Sequence, residues 1–176
     1  MLFRSGIVHA AGVADITPLA ALDATRLDAV MSAKVRGAWL LDHLTIARGI
    51  ELSLFVMCSS FAAISGALSQ GAYAAANAFL DSLAARRRAQ GQVACAINFG
   101  PWAGTGMMTE ATTGGLAWLQ RCGISVSAPA LALDALETLA QTGVAQAMFA
   151  EVDWKAMART LDRSEEHTSE LQSPYV

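Results

Sequence analysis

Four side chains of this sequence, a hydroxyl, a phenol, an ammonium and an amide, suit the delivery of a proton to a carbonyl. They are Ser60, Tyr73, Lys34 and Asn77. Tyr73 and Asn77 are four residues apart, so they share one face of a helix. A tyrosine with an ordinary pKa of about 10 is a poor acid or base at neutral pH, and a nearby ammonium is expected to lower that pKa. Spacing alone also fits an ordinary helix-cap neighbourhood, so both interpretations stay open.

Lys34 is the unusual member because it falls on the apolar stripe of a predicted helix. The apolar residues of the stripe recur at helical spacing, and Lys34 takes the i+7 position among Leu27, Val30, Met31, Ala38 and Leu41. An ammonium on a core-facing stripe must reach water, find a partner or lose its charge. Thr25, with Asp28 three residues later, predicts a capping box at the start of this helix.

Short apolar runs alternate with helical segments, which predicts a parallel α/β sheet. Strands are predicted at 6–9, 52–58, 93–99 and 145–152, and further helices at about 70–90 and 128–141. Ligands of such sheets bind beyond the carboxyl ends of the strands, which is where Ser60 falls. Ala10, Ala11 and Gly12 follow the first strand, and these small residues would let a ligand or another backbone approach closely.

Composition favours one ordinary domain with a substantial core. The chain has 176 residues, 54% of them hydrophobic, and a net charge of -3. Without a long basic block no nucleic-acid partner is predicted, and Arg86 to Arg88 are expected to form a solvated helix face. Cys58, Cys95 and Cys122 are predicted to be free thiols in a reducing compartment, and no metal site is expected. No apolar segment approaches the ~18 residues of a membrane span, so the expected location is cytoplasmic, with no membrane partner.

Two further sets of residues are expected to pack rather than react. His9 ends a predicted buried strand and is expected to be packed or hydrogen-bonded rather than catalytic. Trp39, Trp118 and Trp154 are expected to pack in the core or against a lid.

The last residues differ in character from the rest of the chain. From Arg163 the sequence RSEEHTSELQS turns abruptly polar and resembles the translation of a sequencing adapter. Residues 163–176 are therefore interpreted as an artefact without function. An adapter in the reading frame would make the chain a piece of a longer protein.

Six segments resemble, in the same order, the catalytic half of the ketoreductase domains of modular type I polyketide synthases, members of the short-chain dehydrogenase/reductase superfamily. These segments are VHAAGV, AKVRGAWLLDHLT, LFVMCSSFAAISG, QGAYAAANAFLDSLAARRRAQG, AINFGPWAGTGM and EVDW. The resemblance covers roughly residues 6–157 and implies a partial Rossmann-like, doubly wound parallel sheet that lacks its N-terminal cofactor-binding βαβ half. Residues 1–162 would form the C-terminal part of the domain, with a substrate lid at 103–125.

The resemblance also implies a role for each reactive side chain. Ser60 would hydrogen-bond the substrate carbonyl, and Tyr73 would donate the proton as NADPH delivers hydride to the β-carbon. Lys34 would lower the pKa of the phenol and bind the cofactor ribose, while Asn77 would orient the group or relay its proton. In most of the superfamily the lysine lies four residues after the tyrosine and the asparagine lies in the earlier helix, whereas these ketoreductases exchange the two. The position of Lys34 on the apolar stripe agrees with the ketoreductase arrangement. The implied cofactor-binding residues are Ala10, Ala11, Gly12, Lys34, Tyr73, Gly100 and Pro101.

The implied reaction is the NADPH-dependent reduction of a β-ketoacyl thioester. The substrate would be carried on the phosphopantetheine of an acyl carrier protein, and other polyketide synthase domains of the same chain would be partners. No G-x-G-x-x-G follows a strand, so the pyrophosphate turn is expected upstream of Met1 and the chain alone is expected to be inactive. A fatty-acid-type or free-standing reductase and a non-catalytic structural fragment are the alternatives.

Two departures from the family pattern leave the configuration of the product open. The family's Leu-Asp-Asp motif reads Ala14-Asp15-Ile16, and Ser65 replaces the tryptophan that marks the opposite stereochemical type.

Overall fold

A four-stranded parallel sheet forms the centre of the protein. The computed structural model describes residues 5–104 and 113–160. With strands numbered in chain order, the sheet consists of β1 (Ser5–His9), β2 (Leu52–Ser60), β3 (Cys95–Phe99) and β5 (Gln146–Phe149), neighbouring in that order. A separate antiparallel pair joins β4 (Ile124–Ser125) to β6 (Glu151–Val152). The predicted parallel α/β sheet is confirmed.

The helices connect and cover these strands. In chain order they are α1 (Ala24–Met31), α2 (Gly37–Ala47), α3 (Ala62–Ser65), α4 (Gly71–Ala89), α5 (Thr113–Arg121), α6 (Pro129–Gln141) and α7 (154–160), with a 3₁₀ turn at Leu19–Ala21. A π-helical turn at Ser32–Arg36 joins α1 to α2, so the three segments form one continuous helix. In the π turn the Gly37 N–H bonds the Ser32 carbonyl, five residues back.

The predicted capping box of α1 is wrong. The N-cap is Asp23, whose carboxylate accepts a hydrogen bond from the Arg26 N–H at 2.8 Å. An aspartate is as good an N-cap as a threonine, and here it stands in front of the first helical residue. Asp28 instead pairs with Arg36 at 2.6 Å, on the exposed side of the helix.

Side chains alternate along the strands, and on β2 and β3 both faces are packed against helices. Phe55 and Met57 of β2 pack against α2 and α4, in a cluster that includes Leu80 and Leu83. On the opposite face, Val56 of β2 packs with Cys95, Ile97 and Phe99 of β3 against α6. Helix α4 therefore lies directly on the strands whose ends carry the predicted reactive residues.

The predicted solvated face at Arg86 to Arg88 is wrong for Arg87. Its guanidinium is 3% exposed, pairs with the buried carboxylate of Asp42 and lies 4.2 Å from the centre of the Phe55 ring. Arg86 also pairs with Asp42. Burial of Arg87 is possible because its charge meets a buried carboxylate, its Nε donates to the Val93 carbonyl and its plane lies over an aromatic ring. This cluster ties α4 to α2.

The tryptophans divide between packed and exposed positions. Trp118 packs against the small cluster around Phe61 and Cys122, as expected. Trp39 and Trp154 are 46% and 59% exposed, so neither lies in the core, and packing of either against the lid stays a prediction. Trp39 stacks on His43 one turn later, which covers one face of its ring without placing it in the core.

Four other predictions concern the cysteines, membrane crossing, the lid and the last residues of the chain. The three cysteines are free thiols, as predicted. Among the residues that the structure describes, no helix has both the length and the apolar character that crossing a bilayer requires. Residues 105–112 of the predicted lid and the predicted artefact at 163–176 lie outside the described residues.

Candidate active site

Lys34 of the π-helical turn lies inside the protein. The side chain is only 3% exposed, and its ammonium donates a hydrogen bond to the Cys58 carbonyl of β2 at 2.8 Å. Burial lowers the pKa of Lys34, while the negative charge of Asp81 raises it. A lysine on an apolar stripe must reach water, find a partner or lose its charge, and Lys34 has a partner in the Cys58 carbonyl.

Tyr73 and Asn77 lie on the buried face of α4, as their spacing predicts. Tyr73 is 8% exposed and Asn77 is fully buried. The Asn77 Nδ2 donates to the Tyr73 carbonyl at 2.7 Å, whereas its Oδ1 is buried without a hydrogen-bond partner. The Lys34 ammonium lies 5.7 Å from the centre of the Tyr73 ring. An orphaned amide oxygen beside a phenol and an ammonium leaves an acceptor free for a ligand or a water.

Ser60 completes the group from the last residue of β2. Its Oγ accepts a hydrogen bond from the Ala62 N–H at 3.2 Å, which fixes the hydroxyl at the start of α3. The polar side chains of Ser60 and Asn77 lie near the Tyr73 phenol, and their effect on its pKa is to lower it, against the larger effect of burial. Three elements, β2, α4 and the π turn, therefore bring Ser60, Tyr73, Asn77 and Lys34 together.

The pKa of Tyr73 is raised in this structure, not lowered as the sequence led us to expect. Burial raises the pKa of Tyr73 above its ordinary value because desolvation penalises the phenolate, and the nearby polar side chains of Ser60 and Asn77 only oppose that rise. The phenol is consequently protonated at neutral pH.

The small residues after β1 lie next to Lys34. Ala10, Ala11 and Gly12 are exposed, and a Cβ added at Gly12 would lie 2.9 Å from Lys34 Cε. Gly100 and Pro101 follow β3 at the same edge of the sheet, where a Cβ at Gly100 would lie 3.0 Å from the Cβ of Ala150. Gly12 is thus next to the reactive group, whereas the close contact at Gly100 is with the segment after β5.

A polar network behind Ser60 was not predicted from the sequence. The Asn98 Nδ2 of β3 contacts Asp81 Oδ2 at 2.9 Å, Ser59 Oγ at 3.0 Å and the Ser60 carbonyl at 3.2 Å. Two signals could have identified it. Asn98 is an amide inside an otherwise apolar strand, and Asp81 follows Asn77 by one helical turn on the face that carries Tyr73.

His9 lies behind the π turn rather than in the reactive group. The side chain is 7% exposed, and its Cε1 lies 3.3 Å from the position that a Cβ on Gly37 would take. Burial lowers the pKa of His9, and the Lys34 and Ala33 backbone oppose this by hydrogen bonding. His9 is packed, as predicted.

The fold corresponds to the Rossmann-like class to which the sequence resemblance points. The family model for the KR domain matches residues 5–104. The chain belongs to the ketoreductase domain family of modular type I polyketide synthases, whose members are oxidoreductases.

Individual relatives agree with this assignment. The chain is 41% identical over 172 residues to the erythronolide synthase EryA3 of Saccharopolyspora erythraea, a match that covers 97% of this chain and 5% of that protein. It is 42% identical over 154 residues to the pikromycin polyketide synthase component PikAIII of Streptomyces venezuelae, covering 88% of this chain and 10% of that protein. The chain therefore spans a small part of these multidomain synthases.

Solved ketoreductases have the same fold. A structure of A-type ketoreductases from a modular polyketide synthase matches with a TM-score of 0.81 at 38% identity, covering 89% of this chain and 32% of that one. The first ketoreductase of the tylosin polyketide synthase matches with a TM-score of 0.79 at 39% identity, covering 90% of this chain and 34% of that one. The chain spans about a third of each solved protein.

Proposed function

We propose that this chain supplies the proton-delivery site of a ketoreductase that reduces a β-ketoacyl thioester to the β-hydroxyacyl form, with NADPH as reductant. The observation that carries the proposal is the convergence of Ser60, Tyr73, Asn77 and Lys34 at the carboxyl ends of the strands, in a chain of the ketoreductase family. Ligands of open α/β sheets bind at that edge.

The residues present fit the nicotinamide end of such a cofactor. Lys34 presents a buried ammonium beside the exposed turn at Ala10 to Gly12, and a side chain at Gly12 would fill that space. The orphaned Oδ1 of Asn77 offers an acceptor nearby. When bound, NADPH would supply the hydride. Lys34, Tyr73 and the Ala10 to Gly12 turn would hold its nicotinamide ribose end, and Gly100 and Pro101 would border the same pocket.

Each of the four side chains then has its own role toward the substrate carbonyl. Ser60 donates a hydrogen bond to the carbonyl oxygen and orients it. Tyr73 donates its phenolic proton to that oxygen as negative charge develops. The buried Lys34 ammonium stabilises the resulting phenolate electrostatically. Asn77 orients the group through its bond to the Tyr73 carbonyl, and its free Oδ1 can accept a hydrogen bond from a water through which a replacement proton is relayed.

The wider setting follows from the relatives. Because they are polyketide synthases many times longer than this chain, we propose that the substrate is tethered through phosphopantetheine to an acyl carrier protein, and that the other domains of the synthase are partners. Residues 103–125 would form the lid over the acyl chain. With no G-x-G-x-x-G in its sequence, the chain by itself is expected neither to turn over nor to hold NADPH firmly.

A chimera tests this function directly. The chain replaces the matching part of the first ketoreductase of the tylosin polyketide synthase, and NADPH oxidation is followed with a diketide thioester. We expect activity in the chimera and a loss of roughly 100-fold or more in Tyr73→Phe, which keeps the ring and removes the proton. Ser82→Ala, an exposed hydroxyl on the same helix, is the matched control and should behave as wild type.

Two results would contradict the proposal. An inactive but folded chimera would favour a non-catalytic chain, and full activity in Tyr73→Phe would remove the tyrosine from the mechanism. Comparison of the carrier-protein-bound thioester with the free thioester separates a synthase domain from a free-standing reductase, because only the former should prefer the tethered substrate.

A further inference from the structure

Asp81 is a half-buried carboxylate to which the proposed mechanism gives no task. It lies on α4, one turn beyond Asn77, and its Oδ2 accepts hydrogen bonds from Asn98 at 2.9 Å and Gln146 at 3.1 Å. Its Oδ1 is buried without a partner among the described residues. Burial raises the pKa of Asp81, so the site bears a cost for keeping this group charged.

The contacts of Asp81 fix the orientation of the Asn98 amide. Gln146 Nε2 donates to Asn98 Oδ1 at 2.9 Å, so the amide oxygen faces β5. Asn98 Nδ2 then faces three acceptors: Asp81 Oδ2, Ser59 Oγ and the Ser60 carbonyl. A carboxylate is the strongest acceptor of the three and holds the amide by a charge-assisted bond.

The Asn98 amide in turn connects the two elements that carry the reactive hydroxyls. Its Nδ2 donates to Ser59 Oγ and to the Ser60 carbonyl, the last two residues of β2. Ser59 Oγ in turn donates to the Asn77 carbonyl of α4 at 3.2 Å. Ser60 at the strand end and Tyr73 on the helix are thereby held in one hydrogen-bonded unit.

Building on the proposed function, we propose that Asp81 is a positioning residue of the active site. Its carboxylate fixes the Asn98 amide, and that amide holds the end of β2 so that Ser60 faces Tyr73.

The charge of Asp81 provides a second, independent readout. Beside Asp81 and Lys34 themselves, the titratable groups of this region are Cys58 of β2, His9 of β1 and Tyr73 of α4. Asn98 and Gln146, which contact Asp81 from β3 and β5, are uncharged. The carboxylate raises the pKa of Lys34 against the effect of burial. Removing that charge therefore lowers the pKa of Lys34, and the alkaline limb of the pH–rate profile should move to lower pH.

Two substitutions in the tylosin chimera separate the acceptor from the charge. Asp81→Asn keeps an oxygen for Asn98 and removes the charge, whereas Asp81→Leu removes both. Asp134→Asn, an exposed carboxylate on α6, is the control. For each variant, kcat, KM and the pH–rate profile are measured by NADPH oxidation, and the Asn98 side-chain amide is followed by ¹⁵N NMR.

We expect Asp81→Leu to lose roughly tenfold or more in kcat with little change in KM, because a displaced hydroxyl affects the transition state more than binding. Asp81→Asn should retain most of kcat near neutral pH while its alkaline limb moves to lower pH. The Asn98 amide signals should change greatly in Asp81→Leu and little in Asp81→Asn, and Asp134→Asn should match the wild type in every measurement.

Wild-type kcat in Asp81→Leu, equal losses in both Asp81 variants, an unmoved alkaline limb in Asp81→Asn, or an unchanged Asn98 amide in Asp81→Leu would each overturn the proposal. The NMR result does not depend on turnover. If the chimera is inactive, or if Tyr73→Phe is fully active, the proposed function fails while the Asn98 amide still decides whether Asp81 fixes it.

Discussion

Gly12→Ala is expected to reduce activity by displacing the Lys34 side chain. The added Cβ would lie 2.9 Å from Lys34 Cε and 3.4 Å from Lys34 Nζ. Carbon atoms in good contact are about 3.5–4.0 Å apart, so Cε has to retreat by roughly 0.6 Å. The contact is with the flexible end of a side chain rather than with backbone, so the Lys34 side chain is what moves.

The size of the expected loss follows from the bond that is disturbed. The retreat moves Nζ relative to the Cys58 carbonyl, to which it now donates at 2.8 Å. A hydrogen bond from a charged group contributes about 1.5–3 kcal/mol. If that energy is lost from the positioning of the ammonium in the transition state, kcat falls by roughly tenfold to 100-fold.

The assay combines kinetics with thermal unfolding in the tylosin chimera. The control is Gly71→Ala, whose Cβ would meet only Leu19 Cδ1, at 4.0 Å, and which should keep full activity. A double variant, Gly12→Ala with Lys34→Ala, should be no worse than Lys34→Ala alone, because both changes act on the same side chain. Full activity in Gly12→Ala, or losses that add in the double variant, would refute this reasoning.

Two predictions concern stability. Arg87→Met should lower the free energy of unfolding by about 3 kcal/mol, because it leaves the Asp42 carboxylate buried with only Arg86 as partner. The control Arg48→Met, at an exposed position, should change the free energy of unfolding by less than about 0.5 kcal/mol. Urea denaturation measures both. His9, whose pKa is lowered by burial, binds a proton more readily when the chain is unfolded, so its contribution to stability is present above pH ~6.5 and is lost as the pH falls below that value. His9→Gln should therefore show a smaller loss of stability between pH 7 and 5, and identical slopes in the two proteins would contradict this assignment.

The sequence predicted those parts of the site whose signal is local. Lys34 and Asn77 were identifiable because each is a polar residue on an otherwise apolar helical face, and Ser60 because it ends an apolar run. The sheet was predicted for the same reason, since buried strands are continuous apolar runs and helices repeat with a longer period.

Other features depend on residues far apart in sequence. Arg87 could be read as solvated because its partner Asp42 is 45 residues away. The importance of Asp81 depends on Asn98 and Gln146, which only the strand order brings next to α4. The raised pKa of Tyr73 was missed because desolvation depends on the depth of the finished site, whereas the lysine charge was visible in the sequence.

The π-helical turn at Ser32–Arg36 has a consequence for transferring this site to another protein. A helix that widens for one turn changes the direction in which all later side chains point, so the two flanking helices do not share one continuous 3.6-residue period. Lys34 lies one turn after the buried Val30, so its own inward direction does not require the wide turn, whereas the direction of α2 after it does. Transferring Lys34 together with α2 would therefore require all five residues of the turn.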